Sequence, residues 1–219
     1  MRTWRRDASE RRTLYGAIGL RLLDGLTLQA PIGRVRAELD LQDGPDWLKL
    51  QERVCINPSG VVTCPGLERR AYAASSAPRH YRLRIESDRY RPLYRVTADG
   101  VEFDAHPYDD FTPPAQFADV AADAVLLPAD AYPFPAHVRV LRGEAVDVGG
   151  APVPDALVSE GAIDRAITGE RGTFALALRT AAENVPLQIV IDHPRSGRSG
   201  QIAVTLPADL GHSHTVQVA

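Results

Sequence analysis

Apolar and polar positions alternate in short runs along most of the chain. Ile18, Leu20 and Leu22 alternate with Gly19 and Arg21. Val35, Ala37, Leu39 and Leu41 alternate with Arg34, Arg36, Glu38 and Asp40, and Tyr81, Leu83 and Ile85 with Arg82, Arg84 and Glu86. A period of two puts the apolar side chains on one face of a strand and the charges on the other. Antiparallel strands with one buried face carry this pattern. The second half repeats it in Phe174, Leu176 and Leu178, in Val185, Leu187, Ile189 and Ile191, and in Ile202, Val204 and Leu206. Turn-forming segments separate the runs: "VGGAPVPD", "GERG", "PRSGRSG" and "LPADLG". Closely spaced short strands of this kind predict sandwich or barrel architecture. No long amphipathic helix is expected; a short one fits only Pro114–Ala124.

The two halves share an order of features. "LRLLDGLTLQAPIGRVRAEL" (20–39) and "GEAVDVGGAPVPDALVSE" (143–160) each run a strand into Asp24 or Asp147, then a turn, then Ala-Pro, then a second strand. "NPSGVVTCPGL" and "GERGTFALAL" each set a glycine before a strand. The expected organisation is therefore a basic arm (1–12), one β-sandwich (13–104), a proline-rich linker (105–136) and a second β-sandwich (137–219). Prolines 107, 113, 114, 128, 133 and 135 argue against central strands in the linker, since proline lacks the ladder's N–H donor. Its aromatics Tyr108, Phe111, Phe117, Tyr132 and Phe134 are expected to pack against the domains.

The segment "LRGEAVDVGGAPVPDALVSEGAIDRAITGERGTFALAL" resembles the carboxypeptidase regulatory-like domain, a transthyretin-like (prealbumin-like) seven-stranded sandwich. The matching residues, in order, are Gly143, Val146, Gly150, Pro152, Val153, Ala156, Val158, Thr168, Gly172 and Phe174. In the first half Asp24, Pro31 and Gly60 keep the pattern, and an insertion around Asp43–Arg53 departs from it. The resemblance implies an all-β fold of two tandem antiparallel sandwiches. Such domains accompany other activities as structural or interaction modules, and the fold alone names no function.

Composition changes the picture in two ways. A net charge of −3 and a pI near 6.1 argue against a nucleic-acid footprint, which needs a clustered basic surface. The basic residues are arginines apart from Lys49, as a GC-rich bacterial genome produces. No apolar run reaches the length of a membrane span. The basic start lacks the small-residue cleavage site of a signal peptide, so the expected location is the cytoplasm, or an assembly released by a signal-independent route.

"VCINPSGVVTC" holds both cysteines, Cys55 and Cys64. Asn57-Pro58-Ser59-Gly60 reads as a four-residue turn with proline at its second position. Counting outward pairs Cys55 with Val62 and sets the two cysteines diagonally on one face. Diagonal neighbours lie roughly 7–8 Å apart, beyond disulfide reach. A hairpin with two thiols is expected first; a disulfide, which needs the turn widened to a loop spanning Pro58–Val61, and a metal site are the alternatives.

Catalytic signals are weak. No G-x-S-x-G elbow, P-loop or dinucleotide glycine motif is present, and Asp109, Asp110, Asp119 and Asp123 lack calcium-loop spacing. Hydroxyisourate hydrolases share the transthyretin-like fold, but their C-terminal Tyr-Arg-Gly-Ser is replaced here by "HTVQVA", and no histidine precedes His80. His212 and His214 share one strand face and make a weak metal pair, for which His193 or Asp192 is a candidate third ligand. Val216 and Val218 fall on the same face, which favours a closing strand whose histidines cap the core. No cofactor is expected.

Three functions remain. The first is a non-enzymatic structural or adaptor protein that contacts protein partners in a bacterial assembly. "LLPADAYPFPAHVRVLRGEAVD" resembles stretches found in proteins encoded with phage-tail-like contractile machines, which points to an accessory component. The basic arm, with Arg2, Arg5 and Arg6, is its candidate contact. The second is a carbohydrate- or surface-binding module using Trp47 and Tyr72 as a platform. The third is a metal-dependent hydrolase at His212 and His214.

Overall fold

A computed structural model describes residues 14–51, 54–70, 77–115 and 122–219. The described chain is all-β, with several sheets and no α-helix. Among the described residues no helix is long and apolar enough to cross a membrane.

The first half forms β1 (Gly16–Asp24), β2 (Arg36–Asp43), β3 (Asp46–Lys49), β4 (Cys55–Ile56), β5 (Val61–Pro65), β6 (Arg79–Glu86), β7 (Tyr90–Pro92), β8 (Val101–Ala105) and β9 (Ala122–Pro128). They make a five-stranded sheet, β4-β5-β1-β9-β7, and a four-stranded sheet, β3-β2-β6-β8. The alternation read from sequence decides which side chains lie between them. Ile18, Leu20 and Leu22 of β1 and Val62 of β5 meet Leu39 and Leu41 of β2 and Tyr81, Leu83 and Ile85 of β6 in one core.

The second half forms β10 (Arg139–Val146), β11 (Leu157–Glu160), β12 (Asp164–Ile167), β13 (Thr173–Leu178), β14 (Pro186–His193), β15 (Arg198–Thr205) and β16 (Ser213–Gln217). A three-stranded sheet, β13-β10-β16, and a four-stranded sheet, β12-β11-β14-β15, share a second core around Leu141, Val158, Phe174, Leu176, Ile189, Ile191 and Val204.

The sheet orders correspond. β5-β1-β9 matches β13-β10-β16, and β3-β2-β6-β8 matches β12-β11-β14-β15. In both halves the first strand pairs antiparallel on one side and parallel on the other. β3 occupies the place of β12, so part of the expected insertion around Asp43–Arg53 belongs to the shared pattern; β4 and β7 have no counterpart. The correspondence extends to single residues. Oδ1 of Asp24 accepts the amides of Leu26 and Thr27, and Oδ1 of Asp147 accepts those of Gly149 and Ala151. The Gly60 carbonyl accepts the Leu22 amide, and the Gly172 carbonyl accepts that of Ala145, each at 2.9 Å.

Three expectations are corrected. The segment 105–136 contains β9, which pairs parallel with β1 and antiparallel with β7. Its residues Ala122–Ala124 are strand, not the end of a helix over Pro114–Ala124, and 116–121 lie outside the described residues. Tyr108 and Tyr132 are buried and Phe134 packs on the first core, as expected, but Phe111 is 94% exposed; Phe117 lies outside the described residues.

The cysteine segment is a β4–β5 hairpin as expected, but its register differs. Cys55 pairs with Thr63 and Ile56 with Val62, because the Asn57 amide bonds to the Val61 carbonyl and widens the turn by one residue. A shift of one residue moves a side chain to the other face. Cys64 points into the core, Cys55 lies on the outer side, and no disulfide joins them.

The two equivalent glycines generate a prediction. Gly60 and Gly172 have φ of 78° and 74°, a region that costs an L-residue about 1–2 kcal/mol. A β-carbon at Gly172 would also lie 2.4 Å from the Ala145 carbonyl oxygen, against 3.0 Å from that of Leu22 at Gly60. Gly172→Ala is expected to lower the urea midpoint more than Gly60→Ala. Equal midpoints would contradict the packing argument.

Candidate functional site

The outer face of β3-β2-β6-β8 is a lattice of charges. Asp40 of β2 is 2% exposed and lies between two guanidinium groups, with Arg82 Nη2 at 2.9 Å and Arg84 Nε at 2.8 Å. Burial alone would raise its pKa, but the hydrogen bonds from Arg84 and Arg82 outweigh it and hold the carboxyl below its ordinary value. On the same face His80 Nδ1 lies 2.7 Å from Asp104 and Nε2 3.2 Å from Glu102. These carboxylates, Asp104 first, raise the His80 pKa.

Trp47, on edge strand β3, belongs to this lattice. The Arg82 guanidinium carbon lies 4.4 Å from its ring centroid, and His80 is tilted against it at 5.7 Å. Arg82 therefore covers one side of the ring, in cation–π geometry. The other member of the expected aromatic platform, Tyr72, lies outside the described residues, as do Arg2, Arg5 and Arg6.

Other buried carboxylates are equally committed. Oδ2 of Asp24 accepts hydrogen bonds from the hydroxyls of Tyr90 and Tyr132, both at 2.8 Å. Burial is the first cause that raises the pKa of both phenols, that of Tyr132 to about 12. Glu68 receives Arg70, Arg79 and the Tyr81 hydroxyl. Asp164 receives the Arg179 side chain and amide, each at 2.9 Å. Burying such groups is tolerable only when they are paired and hydrogen-bonded. Each is held by partners that fix loops and strand ends.

His212 and His214 come together with a residue that sequence reasoning missed. Asp209, in the 3-10 turn Ala208–Gly211, offers a carboxylate oxygen that lies with one nitrogen of each histidine inside a group of ligand atoms all within 4.8 Å of one another. The candidate third ligands from sequence are elsewhere: His193 Nδ1 is 2.6 Å from the Ser196 hydroxyl, and neither His193 nor Asp192 joins the group. The signal for Asp209 was its place in "ADLGHSH", three residues before His212. Reading that segment as a plain connection hid it. His214 is half-buried and Val216 and Val218 are buried behind it, as expected for a strand that closes the core.

The largest feature that sequence reasoning left open is the junction between the halves. β9 is apolar on both faces. Ala124 and Leu126 enter the first core, while Leu127 joins Val96 and Ile167 in a separate buried cluster, with Leu93, Val125 and Leu157 packed against it. Polar contacts frame the cluster. Arg95 donates to both carboxylate oxygens of Asp155, at 3.0 and 3.3 Å. Arg195 donates to Asp99 at 2.7 Å and to the Arg95 carbonyl at 2.8 Å. The Thr173 hydroxyl donates to Asp130. Tyr94 stands in the 3-10 turn Leu93–Val96, where it packs against the first core and its hydroxyl accepts the Ile85 amide at 2.7 Å.

No known protein family matches this sequence, and no curated protein matches it. Among solved structures, the chain is similar to part of the Bacillus anthracis TIE protein, with 11% identity and a TM-score of 0.29 over 94% of this chain and 34% of that one. The chain thus spans about a third of that protein's length, and a likeness this weak carries no argument.

Two outcomes test the junction. Exposed ion pairs contribute at most about 1 kcal/mol each, so the apolar cluster should dominate. Ile167→Asp, which puts a carboxylate into that cluster, is expected to enlarge the radius of gyration in small-angle X-ray scattering while both halves keep their β spectrum. An unchanged radius would mean that the cluster does not hold the halves together. The second concerns Asp99, whose pKa is lowered mainly by its hydrogen bond from Arg195. A carboxyl depressed in the folded state adds stability above its unfolded pKa, near 3.9, and loses it as pH falls through the folded value. Arg195→Ala should therefore raise the Asp99 titration midpoint toward the ordinary value, as read by carboxyl NMR.

Proposed function

We propose that this chain is a non-enzymatic structural or adaptor protein that makes protein–protein contacts within a larger bacterial assembly. In this reading it is two tandem prealbumin-like sandwiches with a proline-rich connection, and the assembly is a phage-tail-like contractile machine to which it is an accessory. The observation that carries the reading is the junction. An apolar cluster framed by Arg95–Asp155 and Arg195–Asp99 joins two β units and so sets the spacing between their outer surfaces. An adaptor needs fixed spacing, and a flexible tether would not supply it.

Further support comes from the chemistry already committed. Asp24, Asp40, Glu68 and Asp164 spend their oxygens on tyrosines, arginines and backbone amides that hold the fold. The seven strands of the second half, divided three and four, agree with a prealbumin-like sandwich. The correspondence of sheet order between the halves agrees with duplication. For partner binding, β3 and β4 stand at the ends of their sheets and carry Leu48 (48% exposed) and Ile56 (36% exposed). Edge strands with exposed apolar side chains are surfaces on which a partner strand pairs.

The test is affinity capture of the tagged chain from its native host, with mass spectrometry of retained proteins. Recovery of sheath-, tube- or baseplate-like proteins is the expected result. A chain recovered alone and monomeric from a culture that expresses it well would overturn the reading.

A further inference from the structure

The connection from β15 and the start of β16 gather three metal-ligating residue types in six positions, Asp209 to His214. β15 ends at Thr205, and the chain passes through Leu206 and Pro207 into the turn Ala208–Gly211. Two backbone contacts pin this turn. The Thr205 amide donates to Asp209 Oδ2 at 2.6 Å, and the Leu210 amide donates to the Pro207 carbonyl at 3.1 Å. The same carboxylate offers Oδ1 to His212, whose Nε2 lies 3.5 Å away. Asp209 is thus fixed through one oxygen and presents the other.

The histidines are oriented as well. His214 Nε2 is 2.8 Å from the Asp209 carbonyl oxygen. A carbonyl only accepts, so in the neutral ring Nε2 carries the proton and Nδ1 keeps its lone pair. Metal-binding histidines are commonly held this way, with one ring nitrogen donating to a carbonyl and the other left to ligate. The two imidazole rings stand 5.4 Å apart. The His212 side chain is 63% exposed and free to rotate toward the others.

We propose that Asp209, His212 and His214 form a binding site for one divalent transition-metal ion, with one carboxylate oxygen and two imidazole nitrogens as ligands. Ligands bound at about 2.1 Å around a tetrahedral ion sit roughly 3.4 Å from one another. The ligand atoms here lie within 4.8 Å of one another, wider than that spacing, and the exposed His212 side chain has room to move inward. Imidazole selects zinc, copper, nickel or iron over calcium or magnesium. Three protein ligands leave coordination positions for water or for a donor from a partner. Because Asp209 stands in the turn and His214 in β16, the ion would tie the turn to the start of that strand.

The experiment uses untagged, chelator-treated full-length protein titrated with Zn²⁺ by calorimetry. One ion per chain is expected. His212→Ala removes an exposed ligand without touching the core, and Asp209→Asn keeps an oxygen for the Thr205 amide while losing the charge. Each variant should melt like the metal-free parent and weaken zinc binding by at least about tenfold, the loss already seen for outer-shell partners. Zinc should shift the imidazole resonances of His212 and His214 and leave those of His80 and His193 in place. Failure of the parent to bind zinc, or equal binding by parent and His212→Ala, would overturn the proposal.

Discussion

Strand β9 is buried on both faces, and both halves of the molecule depend on that burial. Its backbone pairs parallel with β1, which completes the first five-stranded sheet. Ala124 and Leu126 fill the first core, while Val125 and Leu127 turn outward to Val96, Leu157 and Ile167. A strand with one wet face would have polar residues at alternate positions; a strand covered on both faces reads as a continuous apolar run. "AVLLP" is such a run. Without it the first sheet would lose a central strand and the second unit would lose the surface it rests on.

Around this strand, carboxylates serve as fasteners. Asp24 closes the turn after β1 with one oxygen and takes two tyrosine hydroxyls with the other, one of them from Tyr132, beyond β9. Asp147 closes the equivalent turn after β10 in the exposed setting of the second half. The same local device is thus used twice; the buried copy gained two tyrosine hydroxyls, while the half-buried Asp147 has the Arg198 guanidinium 3.9 Å away. The difference follows from environment: a buried carboxylate left unpaired costs several kcal/mol, whereas a solvated one is satisfied by water. The charged face around Asp40 and Trp47 follows the same logic, with arginine stems covering a carboxylate that the strand alternation places outside the apolar core.

The functional reading rests on this economy of polar groups. Strongly perturbed or buried titratable groups often mark active sites, but structural networks perturb them too. Here Asp40 and the phenols bonded to Asp24 have partners that account for their surroundings. The exception is the Asp209–His214 segment, where a carboxylate oxygen and two ring nitrogens converge at the edge of the second unit, beyond the bonds that orient Asp209 and His214.

Much of the fold was legible because it depends on local chemistry. Period-two alternation named Leu20, Leu83, Leu176 and Ile189 as core, the Asp-turn-Ala-Pro repeat related Asp24 to Asp147, and the glycine set before a strand in each half related Gly60 to Gly172. These signals are written in neighbouring residues, whose spacing and backbone preferences hold wherever the segment lies. Other features were decided in three dimensions. The register of the Cys55–Cys64 hairpin turned on one hydrogen bond, and one residue of slip exchanged the faces. β9 was hidden among prolines because its pairing partner, β1, lies about a hundred residues earlier in the chain. The junction likewise depends on how separate elements meet. Sequence by itself determined which residues avoid water and where the chain turns. Tertiary structure alone decided which surfaces meet, because burial selects for apolar character without specifying a partner.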